Sequence, residues 1–532
     1  MGGKALGIRP GMIRDTFRHA AVYSVATMAG RIIGFVMLPF YANILRDVGY
    51  GVIGMIDASL FLLTSLIGYN LHGAITRIYH EEPDPAAKPT VVSTGTWLAG
   101  LVVLALALVG AVFSKPASTL LLGTPEHWDL ICMALVTFVC GMVMQSAMSI
   151  LIITRRSAIF SMISIVKLVI SLSLNIYLIV ILRLGLFGYF LAGMISALIG
   201  LAISLVVLKH YCGFRWDRGF ARSLYQYQYP LIPGSLTRFG ARQAERVIVR
   251  YQIDLATVGV LEMAYKFPVL INMLVINPFN KSWGTKALEI ADEPGAPRHI
   301  ANMFVYFFFI STAAFLALAV NIETVLKLLT PPEFWPAARV AQIDAAQVVM
   351  SGAALYLGFG LYYAKKTGVL ARITIVTSVF KLGLSFVLIG IWGLYGAAWS
   401  GLLTALAMAV AQWIHSQRYY RLPIDWGKIV LIAVCAGGLM IGIGQIDVAS
   451  VAAWGEPVLG WVQGELEGLR GTWLGDLKEG KVIRLVQERT DLVLDLAVRT
   501  ALVGTFFLLL PVVHVETQRK VLALAKRVRG AG

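Results

Sequence analysis

Fourteen stretches of this chain are long enough, at about 20 residues each, to cross the roughly 30 Å of hydrocarbon in a bilayer. They lie at 17–44, 50–76, 90–113, 128–153, 157–182, 186–208, 223–251, 256–284, 300–321, 337–364, 367–391, 394–417, 428–446 and 496–515. A protein that is 58% hydrophobic and 14% charged carries far more apolar surface than a soluble globule can bury. The pattern predicts an all-α polytopic membrane protein of about 14 transmembrane helices. The start, MGGKALGIRPGMIRDTFRHAAVYS, is basic and then apolar. The run that follows is too long for a cleaved signal and is interrupted by Arg31, so it reads as a first span that stays.

The seventh run is the uncertain one by hydropathy, because Arg238, Arg242, Glu245, Arg246 and Arg250 fall inside it. Charge bias decides in its favour. With the N-terminus in the cytoplasm, the loops on that side hold about half of the 45 Lys and Arg, and the short outer loops hold a handful. Arg155-Arg156, the Lys209–Arg222 group, Lys365-Lys366 and the tail from Arg519 to Arg529 are all on the cytoplasmic side. This positive-inside asymmetry survives only if 223–251 is a span, since omitting it moves every later loop to the other side. Both termini are therefore expected in the cytoplasm.

The chain also repeats itself. GTPEHW (123–128) returns as TPPEFW (330–335), and TRRSAI (154–159) as AKKTGV (364–369). GLFGYFLAGMISAL (185–198) returns as GLYGAAWSGLLTAL (393–406), and YGVIGM (50–55) as VGVLEM (258–263). The matches keep a nearly constant offset in order along the chain. Spans 1–6 and 7–12 are thus two copies of one unit, related by an axis along the membrane normal, with two spans appended. The expected lobes are 1–211 and 212–422, followed by 423–532 with the last two spans, an outer loop and a basic tail. Such repeats are common in transporters that bind substrate between halves.

Charges inside spans are expensive and mark pathways or interior sites. The basic ones include Arg31, Lys167, Arg238, Arg242, Arg246, Lys266, Lys281 and Lys381; the acidic ones include Asp57, Glu245, Glu262 and Asp344. At 100° per residue the charges of the seventh run share an arc of about 140°. A helix with one wet and one greasy face suits the wall of a cavity. The excess of cations points to an anionic, phosphorylated substrate, because arginine pairs bidentately with phosphate and lysine adds point charge. Arg31, Lys167, Arg238, Arg242, Arg246, Lys266 and Lys381 are the expected substrate contacts. Asp57, Glu245, Glu262 and Asp344 are either carriers of a coupling H⁺ or Na⁺ or local counter-ions of their basic neighbours. Arg250 and Lys281 are expected to snorkel to an interface.

Other classes find little support. No Walker A, HxxxH or HExxH pattern occurs, so neither a self-contained ATPase nor a metal site is indicated, and no cofactor is expected. The net charge of +16 follows from topology, with some attraction to anionic lipid, and no nucleic-acid motif accompanies it. The four cysteines form no CxxC pair. Residues 447–495 carry nine acids against five bases together with Trp454, Trp461 and Trp473, which is compatible with amphipathic helices on the outer surface or with a solvated loop.

The passage ERVIVRYQIDLATVGVLEMAYKF (245–267), with the duplication, resembles the oligosaccharide flippase or polysaccharide transporter family. That family belongs to the multidrug/oligosaccharidyl-lipid/polysaccharide exporter superfamily, whose fold is MATE-like. It typically has an acid–Arg pair near the end of span 7, here Glu245-Arg246, and a short loop leading into span 8, here IDLATVGVL. Glu stands where Asp is usual, and Leu261 where an aromatic is usual. The resemblance implies a flippase for a polyprenyl-diphosphate-linked oligosaccharide in a bacterial inner membrane, with lipids, a polymerase and glycosyltransferases as partners. A peptidoglycan-precursor flippase and a multidrug exporter of the same superfamily are the alternatives. An integral-membrane glycosyltransferase is a more distant one.

Overall fold

The computed structural model describes residues 34–67, 71–445, 492, 493 and 495–509. Among these every regular element is helical, and eleven helices are long and apolar enough to cross a membrane. The fold is the all-α multi-pass bundle that the apolar runs predict. Three of the fourteen runs are missing from those eleven for separate reasons. Most of run 17–44 and part of run 496–515 lie outside the described residues, as does nearly all of the 447–495 loop. The seventh run holds the 21-residue helix Ile232–Gln252, which is too charged to qualify by hydropathy.

In chain order the elements begin with α1 (Leu38–Ile67), which bends where Arg46 takes φ 59°. Then come α2 (Leu71–Glu81), α3 (Lys88–Val112), α4 (Ser114–Leu122), α5 (Trp128–Ile153) and α6 (Ser157–Asn175). α7 (Gly185–Tyr211), α8 (Arg218–Gln228), α9 (Ile232–Gln252) and α10 (Leu255–Tyr265) follow. After α11 (Pro268–Ile271) come α12 (Asn277–Ile290), α13 (Ala296–Leu329), α14 (Ala337–Leu357) and α15 (Phe359–Tyr363). The set closes with α16 (Thr367–Trp392), α17 (Leu394–Ser416) and α18 (Trp426–Gly444).

Several boundaries differ from the apolar runs. Run 50–76 stops at Ile67, and its end belongs to the separate helix α2. Run 223–251 is two helices, because Pro230 lies in a 3₁₀ turn at Tyr229–Leu231 that separates α8 from α9. Run 256–284 breaks at Phe267, and Pro268 starts the next segment from the first-turn position that proline tolerates. α2 and α8 are amphipathic helices that hydropathy alone folds into their neighbouring spans. They pack on each other and on α3, with the Arg77 guanidinium 5.0 Å from the centroid of the Tyr227 ring.

The duplicated fragments have the same local structure. Arg155 and Lys365, matched in TRRSAI and AKKTGV, are both left-handed, at φ 56° and 55°. The following amides close equivalent helix ends, Arg156 N–H donating to Leu151 O at 2.8 Å and Lys366 N–H to Leu361 O at 2.9 Å. Gly185 and Gly393, the first residues of the third matched pair, have φ 57° and 58°.

By packing, the chain divides into compact units at 1–259 and 260–532. α9 opens the second sequence repeat but packs along α1, so it counts with the first unit. The core of the first unit is built on Ile75, Val92, Ala147, Leu151 and Leu224. That of the second is aromatic, with the rings of Phe304 and Phe307 each against that of Tyr356. The appended helix that ends in 495–509 is part of this core: Phe506 stacks on Phe309 at 4.9 Å. Farther from that stack, Asp495, fully buried, accepts from Thr324 Oγ1 at 2.6 Å and from Arg499 Nε at 2.7 Å.

Candidate functional site

α9 has 21 residues, and at 1.5 Å per residue it spans about 31 Å, one hydrocarbon thickness. Its start is set by the Pro230 turn and by Pro233 in the first turn, where a proline leaves no helical bond unmade. Two contacts fix its rotation about its own axis. Ser235 Oγ donates to Ser65 O of α1 at 2.6 Å, and Phe239 stacks on Phe61 of α1 with centroids 6.3 Å apart. Val249 and Glu245 are buried on the same side.

That side is the charged one. On a helical wheel, positions 238, 242, 246 and 250 lie within about 60° of Ser235. The polar arc is therefore the arc that packs into the protein, and Phe239 lies inside it. The side chains of Arg238 and Arg242, and all of Arg31, lie outside the described residues.

The described charges of α9 each meet the protein differently. Glu245 is 5% exposed. The guanidinium of Arg246 is half-buried and donates through Nη1 to Gln243 Oε1. Arg250 does not snorkel: its Nε donates to Leu121 O at 3.0 Å, and Tyr251 Oη donates to Leu120 O at 2.8 Å. These are the last carbonyls of α4, which a helix leaves unpaired and which favour a cation. Gly123 ends α4 in the left-handed region at φ 86°, and a Cβ there would meet the Arg250 guanidinium at 2.6 Å.

Elsewhere in the first unit, Lys167 is half-buried on α6 and Asp57 is exposed on α1. In the second unit Glu262 on α10 and Lys266, in the turn just after it, are half-buried. Asp344 on α14 and Lys381 on α16 are buried, in helices that both pack on α17. Lys281 is exposed and, with Asn280 and Gly284, lines an open concavity along α12. Gly401 permits the close approach of α17 to α14: a Cβ there would lie 2.7 Å from Gln347 Cδ.

Two groups escaped the sequence reading. Tyr363 donates its hydroxyl to Asp292, and the Tyr420 ring lies 5.1 Å away with its hydroxyl donating to Ala291 O at 2.9 Å. Neither residue follows a motif, and the partners are distant in the chain. Cys212, just beyond α7, is buried, and burial pushes its thiol up to about 12.

Comparison with known proteins follows from this geometry. The family model described as polysaccharide biosynthesis protein matches residues 17–283, a stretch that ends in α12 and includes all of α9 and its arginine arc. The chain belongs to that family. It is a multi-pass membrane protein. No curated protein matches its sequence. Among solved structures it is similar to the lipid II flippase MurJ in an inward closed conformation, at TM-score 0.66 and 12% identity, over 92% of this chain and 99% of that one. It is also similar to a multidrug resistance MATE family transporter in an inward-facing conformation, at TM-score 0.57 and 12% identity, over 78% and 99%. A MATE transporter of Vibrio cholerae matches at TM-score 0.50 and 16% identity, over 76% and 96%. The MATE-like fold read from the family resemblance is the observed one.

Proposed function

We propose that this family member flips a polyprenyl-diphosphate-linked oligosaccharide from the inner to the outer leaflet of a bacterial inner membrane by alternating access. The observation that carries the reading is α9. A bilayer-length helix in a polysaccharide-biosynthesis chain turns its run of arginine positions toward protein and away from lipid. Guanidinium groups held in a partly desolvated setting suit a diphosphate, because each can offer two parallel donors. Arg31, Lys167, Lys266 and Lys381 would extend the same attraction along the path. Asp57, Glu245, Glu262 and Asp344 are the carboxylates available to a coupling H⁺ or Na⁺.

The test is translocation of lipid-linked oligosaccharide in vesicles, normalised to folded protein. Arg242→Ala is expected to lower the rate tenfold or more, since a charge-assisted contact contributes roughly 1.5–3 kcal/mol. Arg242→Lys should recover only part, keeping charge without the planar fork. Full activity in Arg242→Ala would remove the phosphate role. If instead Glu245→Gln is as damaging as Arg242→Ala and both act through loss of folded protein, the arginines only hold the helix. The similarity to a lipid II flippase favours one second reading, a peptidoglycan precursor as cargo. Presenting both lipid-linked substrates to the same vesicles separates the two.

A further inference from the structure

A cavity of about 240 Å³ lies within the first unit among α3, α5 and α7. Its wall is almost wholly apolar, including Trp97, Leu101, Leu104, Val143, Leu205 and Phe214. It is larger than the roughly 150 Å³ apolar cavity that stays dry and takes up benzene. Trp97, Leu101, Leu104, Leu205 and Phe214 are each more than a third exposed, so the cavity opens on the outside of the helix bundle. In a membrane, that outside is lipid.

Its mouth is built rather than loose. Ser93 Oγ donates to Gly213 O at 3.0 Å and accepts from Arg215 N–H at 2.8 Å. Thr94 Oγ1 accepts from Asp217 N–H at 3.0 Å. The ring of Phe214 packs on Trp97 at 5.9 Å. The loop after α7 is thereby fastened over one end of the cavity, and α8 follows with Asp217 capping it through Phe220 N–H. Leu224 anchors α8 inward at zero exposure, while Arg218, Arg222, Tyr225 and Tyr229 are exposed.

This segment is strongly basic. Between Lys209 and Tyr229 it has Lys209, Arg215, Arg218 and Arg222 against a single acid, Asp217, which is the α8 cap. Exposed Trp216, Tyr225 and Tyr229 accompany them. Basic and aromatic side chains just past the end of a spanning helix sit at headgroup depth, where each cation attracts anionic lipid. An apolar slot opening to lipid beneath a cationic, aromatic rim has the two parts of a phospholipid site.

We propose that the cavity holds one acyl chain of an anionic phospholipid, with its phosphate against Arg215 and Arg218. The site is separate from the α9 arc and does not depend on which glycan is carried. Under the proposed topology it takes lipid from the cytoplasmic leaflet.

The full-length chain, purified in detergent, tests this. Native mass spectrometry with phosphatidylglycerol and with phosphatidylethanolamine should show tighter retention of the anionic lipid by about tenfold or more. Arg215→Gln with Arg218→Gln should abolish that preference while lipid still binds. Gly100→Leu, at a position where a Cβ would meet only Val143 Cγ2 at 3.8 Å, should fill the slot and reduce retention of both lipids. Phosphatidylglycerol with a diazirine in its acyl chain should cross-link to peptides of α3 and α7 that carry Trp97, Leu101 or Leu205. Equal binding of the two lipids, a preference untouched by the double Gln variant, or cross-links confined to other helices would overturn the proposal. Displacement of phosphatidylglycerol by polyprenyl phosphate at equal concentration would overturn it too, by making the occupant the cargo's tail. The double Gln variant changes only exposed side chains, so it keeps the test open if Gly100→Leu fails to fold.

Discussion

Within the first unit, Asp47 and Gly51 of α1 meet Leu255 and Gly259 backbone to backbone, and this crossing rests on two glycines. A Cβ on Gly259 would overlap the Asp47 carbonyl, lying 2.7 Å from its carbon and 3.0 Å from Gly51 N. A Cβ on Gly51 would overlap the Leu255 carbonyl in the same way, 2.9 Å from its carbon. Gly51 and Gly259 are matched positions of YGVIGM and VGVLEM, and Asp47 and Leu255 stand at the same spacing before them. The contact is therefore reciprocal across the duplication. Ordinary van der Waals contact begins near 3.4 Å, so Gly259→Ala must move the Asp47 carbonyl by about 0.7 Å or more. Neither backbone can yield without dragging its helix, and overpacking of this kind costs about 1–3 kcal/mol. Gly51→Ala should cost a similar amount. The double variant should cost less than the sum, because both methyls relieve one crossing. Folded fraction against temperature, followed by fluorescence-detected size exclusion, measures this directly. Gly141→Ala on α5 is the control: its Cβ meets nothing within 4 Å, and alanine is the better helix former by about 1 kcal/mol. Gly259→Ala that melts with the wild type, or no earlier than Gly141→Ala, would refute the reasoning.

Three further outcomes follow from other contacts. Arg250→Ala should lose about 1–2 kcal/mol in the same melting assay, because it leaves the Leu121 carbonyl at the end of α4 without its cationic donor, whereas snorkelling would make it silent; Arg250→Lys should be intermediate. Asp495→Ala should cost about 3–5 kcal/mol by leaving Arg499 and Thr324 without their shared acceptor in the core, and tryptophan-fluorescence melting of the purified protein reads it. In folded protein at pH 8, maleimide should modify the half-buried Cys132, near the start of α5, well before Cys212, whose thiol burial pushes up to about 12. Peptide mass mapping with time gives the order, and early loss of Cys212 would contradict it.

Most of the architecture was readable from residue order alone, for a local reason. Crossing a bilayer demands about 20 apolar residues in series, and a duplicated turn keeps its residues together, so the repeat of TRRSAI as AKKTGV marks equivalent joints, whose left-handed turns at Arg155 and Lys365 the structure adds. Helical period placed the charges of α9 on one arc. Where local signals conflict, the reading erred: the amphipathic helices α2 and α8 merged into neighbouring spans, since a hydropathy window averages their apolar face with the adjoining run. What the arc faces was beyond a wheel diagram, because its partners on α1 are 170 residues away, as for Ser235 and Ser65. Arg250 shows the same limit. Its sequence context suits an interface, and only the tertiary structure brings Leu121, 129 residues earlier, to its guanidinium. Periodicity fixes which way a side chain leaves its own helix; the neighbour it meets there is decided by packing between helices, which couples residues with no local relation.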